Sequence, residues 1–267
     1  SPLTGRSIYD TPIFTTYRTQ KINQGKTAVT HDLRATATYK YANPVWGVFL
    51  NVSPMYARTS GNILYENVLN DRIFTIVATD KKRATETTGL SGHISKTFGW
   101  AKTLLGLGAS FTTTDYCMLV TGKVNVARMT VTSVALNFSL RPTRLLSVEG
   151  RSSVSFNQQK NQTAPQLSSG STNDWEHRLN IHVFPANGWM LSINNQLFHT
   201  NSEGIGTSFF LDLAMSYKTK RWELTFSANN IIGSSKLEQH VLGNTIETYM
   251  ATHLRPREFL VNWAIDL

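Results

Sequence analysis

Hydrophobic and polar residues alternate along most of the chain, in segments of about eight to twelve residues separated by clusters of turn-forming residues. The last segment shows this plainly, with one face formed by Phe259, Val261, Trp263, Ile265 and Leu267. Its other face carries Leu260, Asn262, Ala264 and Asp266. A repeat of two is the side-chain period of a β-strand, and no segment shows the period of a helix. The pattern therefore predicts an all-β chain.

Five short turns separate consecutive strands that share an apolar face, at residues 42–44, 99–101, 141–144, 185–188 and 218–221. Turns this short predict β-hairpins. The connections between the hairpins are longer and polar, as in 157–174. Short turns at one rim and long loops at the other are typical of a transmembrane antiparallel up-and-down β-barrel.

At roughly 20 residues for each strand and its connection, the chain has room for about twelve or thirteen strands. We expect residues 1–267 to form one barrel segment without a plug domain. Because complete bacterial barrels have an even number of strands, this count favours part of a larger barrel. The edge strands of such a part need partners, since an unpaired backbone group in lipid costs several kcal/mol.

One face of the predicted strands is polar and carries charges in mid-strand, so we expect it to line a water-filled lumen. The candidate lumen residues are Glu149, Arg151, Glu176, Arg178, Asp212 and Lys218. They could line a substrate path, or they could pair across strands and hydrate the interior. The opposite face is apolar with aromatic residues near the strand ends, and its predicted membrane-interface anchors are Trp46, Trp100, Trp189 and Trp222.

If a membrane is involved, the composition requires that strands span it. Charged residues make up only 16% of the chain and the mean hydropathy is -0.22, yet no apolar run reaches the roughly 18 residues of a transmembrane helix. The net charge of +9 raises the question of nucleic acid, but the basic residues are scattered apart from the run 81–83. A basic pore lining or attraction to anionic headgroups explains the charge better, so we predict no nucleic-acid partner.

No catalytic, cofactor or metal constellation stands out. The single Cys117 excludes a disulfide framework and a cysteine-based metal site. There is no nucleophile-elbow spacing, and His177 and His182 are not spaced as a strand-based metal pair. We therefore predict a chain that is not an enzyme and needs no cofactor. A twelve-stranded outer-membrane phospholipase matches the strand number alone, without a local motif.

The C-terminal region resembles the end of TonB-dependent outer-membrane receptors, particularly those of the Bacteroidota type. The likeness rests on "LTFSANNIIG" at 224–233, "LRPREF" at 254–259 and a last strand that ends on a hydrophobic residue. It implies that the last strand, Phe259 to Leu267, is recognised by the outer-membrane assembly machinery. Leu267 departs from the aromatic residue with which this family usually ends.

The resemblance also implies a setting for the chain. Family barrels have 22 strands, so this chain would be the C-terminal barrel part, with an N-terminal barrel half and a plug in the same or a separate chain. It implies the outer membrane of a Gram-negative bacterium, contact with its lipid, nutrient uptake, and energy-coupling or surface-lipoprotein partners. A stand-alone porin-like barrel, or a structural barrel of an outer-membrane complex, is the alternative.

Overall fold

The computed structural model describes residues 11–23, 28–70, 73–120, 122–163, 169–202, 205–233, 236–242, 247–253 and 257–265. Within these ranges the chain forms strands of very unequal length, and most of them pair antiparallel. The strands are β1 Ile13–Thr16, β2 Thr19–Ile22, β3 Thr30–Thr36, β4 Tyr39–Asn43, β5 Val48–Gly61, β6 Leu64–Asn70, β7 Ile73–Thr79, β8 Arg83–Phe98, β9 Thr103–Val120, β10 Lys123–Thr143, β11 Leu146–Asn161, β12 Ser169–Val183, β13 Trp189–Thr200, β14 Ser208–Lys218, β15 Trp222–Asn229, β16 Lys236–Leu242, β17 Glu247–His253 and β18 Glu258–Ile265. A short 3-10 turn, Trp100–Lys102, joins β8 to β9. No helix among the described residues is both long and apolar enough to cross a membrane.

The main sheet is a continuous antiparallel wall in which neighbours in space are mostly neighbours in sequence. From one edge to the other, β3 and β4 pair with β5, which pairs with β8, and the order then runs β9, β10, β11, β12, β13, β14, β15 and β18. Because β3 and β4 together occupy one position beside β5, the described residues form eleven wall positions. The fold is thus an all-β, antiparallel, up-and-down barrel wall, as the alternation predicts.

The interruption between β3 and β4 has a local cause in the facing strand. Ala37 donates its backbone N–H to the carbonyl of Pro54 at 3.2 Å. Because proline has no backbone N–H, Pro54 cannot donate the second hydrogen bond of this pair to the Ala37 carbonyl. The register on either side, Thr36 opposite Met55 and Tyr39 opposite Val52, stays in step. The two short strands therefore continue a single wall position.

Burial across the wall is inverted relative to a water-soluble sheet. On β13 and β14, the small polar residues Ser192 and Ser216 are 6% and 5% exposed, whereas Ile193 and Leu213 are 37% and 38% exposed. The same holds on β10, where Val134 and Leu136 are exposed and Ala135 and Asn137 are half-buried. An exposed apolar face this extensive marks a surface that contacts another protein or a membrane. The wall is built to place its apolar face against an apolar surrounding.

The described buried apolar residues lie instead in an extension of the sheet at one rim. There β6 and β7 form a hairpin, β6 pairs in parallel with β9 at Glu66 and Leu119, and β2 pairs in parallel with β7. The buried apolar side chains are Ile63, Leu64, Ala78, Tyr116, Met118, Leu119 and Ala127. This rim extension, comprising β1, β2, β6, β7 and the adjoining ends of β9 and β10, thus has a small core of its own.

The two rims differ as the sequence predicts. The connections 44–47, 99–102, 144–145, 184–188 and 219–221 all lie at one end of the wall, which we call the short-turn rim. Gly188 closes one of them at a φ of 83°, where an added Cβ would lie 2.6 Å from the Lys218 carbonyl oxygen. The rim extension and the hairpin of β16 and β17 lie at the other end, the long-loop rim.

Two details differ from the sequence prediction. The wall has eleven described positions, whereas about twelve or thirteen strands were expected. The difference arises because some residues form hairpins at the rim that are not part of the wall. The segment 157–174, expected as a polar loop, is mostly strand, since β11 extends to Asn161 and β12 begins at Ser169. Its side chains are polar because these strand ends reach beyond the apolar band.

Candidate functional site: the polar face of the wall

The six predicted lumen residues share one face of the sheet. Arg151 of β11 lies directly opposite Arg178 of β12, and Glu149 lies opposite Asn180. The register continues through Asn194 of β13 to Asp212 of β14. Since alternate residues of a strand share a face, Glu176 and Lys218 lie on this same face. That the face lines a lumen stays a prediction.

The charged residues on this polar face have different partners. Glu176 forms an ion pair with Arg178 along the same strand. Lys218 forms one across strands, its Nζ lying 3.5 Å from the Glu223 carboxylate. Among the described residues, Glu149 and Arg151 have no ion pair. The charges on this face are therefore not all neutralised by ion pairs. Among the described residues, the Arg151 guanidinium has no carboxylate partner, and it lies opposite Arg178.

Asp212 has a structural role that the sequence pattern did not indicate. Its Oδ1 accepts a hydrogen bond of 2.7 Å from the backbone N–H of Asn230. Asn230 has a φ of 51° and follows the last residue of β15. A left-handed residue at this point turns the chain out of the wall, and asparagine tolerates that conformation better than most residues. Asp212 thus fixes the end of β15.

A concavity of about 330 Å³ lies on the polar face across strands β8 to β12. Its lining includes His93, Asn137, Glu149, Arg151, Arg178 and Asn180. Gly106 and Gly108 of β9 have no side chain that would fill this space. A Cβ added at either position would come nearest to the His93 ring. The concavity offers charged groups of both signs and amide groups to a polar solute.

A second concavity of about 330 Å³ lies nearer the long-loop rim. Its lining joins wall residues, including Asp174, Glu176 and Phe198, to Leu237 and Glu238 of β16. The Ser208 hydroxyl donates a hydrogen bond of 3.2 Å to the Lys236 carbonyl, which fastens the hairpin to the wall. Sequence reasoning missed this contact, since it depends on how a long loop folds back.

The apolar face contains a polar pair that sequence reasoning also missed. The Ser152 hydroxyl and His177 Nδ1 are joined by a hydrogen bond of 2.9 Å on neighbouring strands. Similar bonds join His182 to Ser192 and His199 to Thr207. None of these three rings forms an ion pair with a carboxylate in the described part of the chain, so none has the third group of a catalytic triad. No group of three potential metal ligands occurs there either.

All four predicted interface tryptophans lie at the short-turn rim. Trp46 and Trp100 lie in turns and are 69% and 76% exposed, while Trp189 and Trp222 are the first residues of β13 and β15. Tyr217 joins the last two, with ring centroids 4.8 Å from Trp189 and 5.4 Å from Trp222. Aromatic clusters of this kind mark membrane interfaces in barrels, so the assignment as interface anchors stays a prediction with favourable geometry.

The predicted assembly strand corresponds to β18. Its residues Phe259, Val261, Trp263 and Ile265 share the apolar face and are 75%, 64%, 70% and 54% exposed. Leu267 lies outside the described residues. β18 pairs with β15 on one side and has no partner on the other within the described part of the chain.

Comparison with solved structures finds a similar fold in two structures of a bacterial receptor. The chain is similar in structure to crystal structures of two mutant forms of the ferric enterobactin receptor PfeA from Pseudomonas aeruginosa, each with a TM-score of 0.55. Sequence identity is 10% and 11%, over 83% and 91% of this chain. The chain spans about a third of those receptors, 34% and 36% of their length.

These likenesses concern the fold alone. No known family model matches the sequence, and no curated protein matches it. The two receptors support the coarse resemblance to TonB-dependent receptor barrels, and they give no support to the narrower Bacteroidota type.

Proposed function

We propose that this chain forms part of the wall of a TonB-dependent receptor-like transporter in the outer membrane of a Gram-negative bacterium. In this role the apolar face meets lipid, and the polar face lines the path of a nutrient. The remaining barrel strands and a plug complete the transporter, and the assembly machinery recognises β18. The chain acts by binding and passage, without catalysis.

The main support for this proposal is that polar residues of the wall are buried while apolar residues are exposed. Covered serines alternate with exposed leucine and isoleucine residues along β13 and β14. In a water-soluble sandwich the apolar residues would be the covered ones. A wall with an apolar outer band, a polar inner face and short turns at one rim is the architecture of an outer-membrane barrel.

The polar face supports a role in solute passage more specifically than the fold does. It carries a concavity of about 330 Å³ with charged and amide groups, including Arg151 and Arg178. A passive structural barrel needs no such unneutralised pair. The stand-alone alternative has less support, because both edge strands of the described wall pair on one side only.

Two neighbouring substitutions in β14 test this orientation. Leu213 is on the apolar face and Ala214 on the polar face. With the chain folded into lipid bilayers, Leu213→Arg is expected to lower the unfolding free energy by about 2 to 4 kcal/mol, the cost of arginine at mid-membrane. Ala214→Arg introduces the same charge one residue away and is expected to cost much less. Equal losses at both positions would contradict the proposal.

A further inference from the structure

The concavity across strands β8 to β12 contains two opposite charges that do not pair with each other. Glu149 and Arg151 lie two residues apart on β11, so they share the polar face, and both are exposed. Glu176 and Arg178 have the same spacing on β12, and those two side chains form an ion pair. Among the described residues, neither Glu149 nor Arg151 has an ion pair. Both charges are therefore open to a solute in the concavity.

The positive half of the concavity is a row of hydrogen-bond donors across three neighbouring strands. Arg151 lies opposite Asn137 of β10 on one side and opposite Arg178 of β12 on the other. All three side chains line the concavity. A guanidinium binds a carboxylate through two parallel N–H···O bonds, and an asparagine amide offers two further N–H donors. This row is therefore suited to a carboxylate group.

The negative half is the next row on the same strands, one step nearer the short-turn rim. Glu149 lies opposite Ser139 of β10 and opposite Asn180 of β12. All three side chains line the concavity and carry oxygen atoms that can accept hydrogen bonds. An ammonium group has three N–H donors and no acceptor. This second row is therefore suited to an ammonium group.

The spacing of the two rows limits the size of the solute. Residues two apart on a strand have Cα atoms about 6.7 Å apart, and an extended chain of two residues spans at most about 7 Å. The concavity volume of about 330 Å³ is near the lower end of the range in which proteins bind small molecules. Gly106 of β9, which lies opposite Asn137, leaves room in front of these rows because it has no side chain. The dimensions match a molecule of about dipeptide size.

We propose that this concavity binds a zwitterionic solute of about dipeptide size. Its carboxylate lies against Arg151 and Arg178, and its ammonium lies against Glu149. A solute with an anionic group alone would be repelled by Glu149, and one with a cationic group alone would be repelled by the two arginines. A zwitterion satisfies both rows at once. This inference rests on the proposed function, because it names the class of solute that the polar face would pass.

Isothermal titration calorimetry on the native protein, purified in detergent, tests the proposal at pH 7. The probes are alanyl-alanine, its N-acetyl derivative without the ammonium, and its C-terminal amide without the carboxylate. We expect alanyl-alanine to bind at least about tenfold more tightly than either derivative, because a hydrogen bond to a charged group contributes this much or more.

Two substitutions assign each charge of the probe to its partner. Arg151→Gln is expected to weaken alanyl-alanine binding at least about tenfold and to leave binding of the amide almost unchanged, since the amide has no carboxylate to lose. Glu149→Gln is expected to weaken alanyl-alanine binding similarly and to leave binding of the N-acetyl derivative almost unchanged. The control Lys160→Gln removes a positive charge from the same strand, nine residues from Arg151 and on the opposite face, and is expected to change nothing.

Several results would overturn the inference. Equal binding of the three probes, or no binding of alanyl-alanine, would contradict a zwitterion site. Tighter binding of the N-acetyl derivative would mean a simple anion site. A loss in Arg151→Gln that is equal for alanyl-alanine and its amide would mean that the arginine does not meet the carboxylate.

Membrane fractionation of cells that make the protein reports separately on the proposed function. A chain that is absent from the outer membrane contradicts the transporter role, whatever the purified protein binds. A chain that is present there and does not bind alanyl-alanine contradicts the zwitterion site alone.

Discussion

Arg151 of β11 and Arg178 of β12 lie directly opposite each other on the polar face of the wall. Like charges in this relationship destabilise a sheet by roughly 0.2 to 1 kcal/mol. Arg178 is partly compensated by Glu176, whereas Arg151 has no ion pair among the described residues. The arrangement does not stabilise the sheet, and the solute path that we propose gives it a use.

The first prediction concerns Arg151 itself. Arg151→Gln removes the repulsion without breaking an ion pair, so we expect the unfolding free energy to stay unchanged or to rise by up to about 1 kcal/mol. Denaturant unfolding of the protein in lipid vesicles measures this. The matched variant Arg178→Gln also breaks the ion pair with Glu176 and is expected to gain less. A clear loss of stability in Arg151→Gln would show that this arginine has a stabilising partner.

The second prediction concerns the end of β15. Asp212→Ala leaves the Asn230 backbone N–H without its acceptor at 2.7 Å, so we expect a loss of about 1 to 3 kcal/mol in unfolding free energy. Asp212→Asn keeps an oxygen acceptor while removing the charge. It is expected to cost less than Asp212→Ala, and the reverse order would mean that the charge matters more than the hydrogen bond.

The third prediction concerns acid pH and the rim extension. Arg128 donates two hydrogen bonds of 2.7 Å to the Asp115 carboxylate, and these hold the pKa of Asp115 below its ordinary value. Asp115 lies twelve positions beyond Thr103, where β9 begins at the short-turn rim, so it lies past an apolar band about 25 Å tall. Because the folded pKa is the lower one, the bond contributes its full stability above the unfolded-state pKa of about 3.9. That contribution disappears as the pH falls through the folded value.

Thermal unfolding followed between pH 7 and pH 2 measures this contribution. The melting temperature of the native protein is expected to exceed that of Asp115→Asn from pH 7 down to about pH 5, and the difference is expected to shrink below about pH 4. A difference that stays constant into acid, or that disappears between pH 5 and pH 7, would contradict the assignment.

The fourth prediction concerns the core of the rim extension. Tyr116 is 7% exposed, and its buried hydroxyl has no hydrogen-bond partner among the described residues. Burial also raises the pKa of this tyrosine. Tyr116→Phe removes an unpaired polar group, so we expect equal or higher stability. Tyr116→Ala leaves a cavity beside Met118 and Ala127 and is expected to cost about 3 to 5 kcal/mol. Equal losses in the two variants would show that the hydroxyl is bonded.

The faces of the wall were predictable from sequence, because a repeat of two is a local property of each strand. Leu213 and Asp212 lie on opposite faces as their alternation predicts, and the short turns set off the hairpins correctly. The pairing of Arg151 with Arg178 was not predictable, since it depends on the register between β11 and β12, which the alternation within each strand does not give.

Contacts made by the long loops were beyond the sequence pattern for a similar reason. Glu238 meets the wall near Asp174 only because the hairpin of β16 and β17 folds back over Ser208. The hydrogen bond between Ser152 and His177 was not predictable, because most other residues on that face are apolar and the two strands' register was unknown. The chain length alone predicted about twelve or thirteen strands, whereas the described wall has eleven positions, because the hairpin of β6 and β7 lies at the rim.

The central claim is that the apolar face meets lipid and the polar face meets water. The most direct measurement places a spin label in turn at Val134, Ala135, Leu136 and Asn137 of β10, in a Cys117→Ser background reconstituted into bilayers. We predict that collision with oxygen, which concentrates in lipid, is high at Val134 and Leu136, and that collision with a water-soluble nickel chelate is relatively higher at Ala135 and Asn137. Equal accessibility at all four positions, or the opposite alternation, would contradict the account.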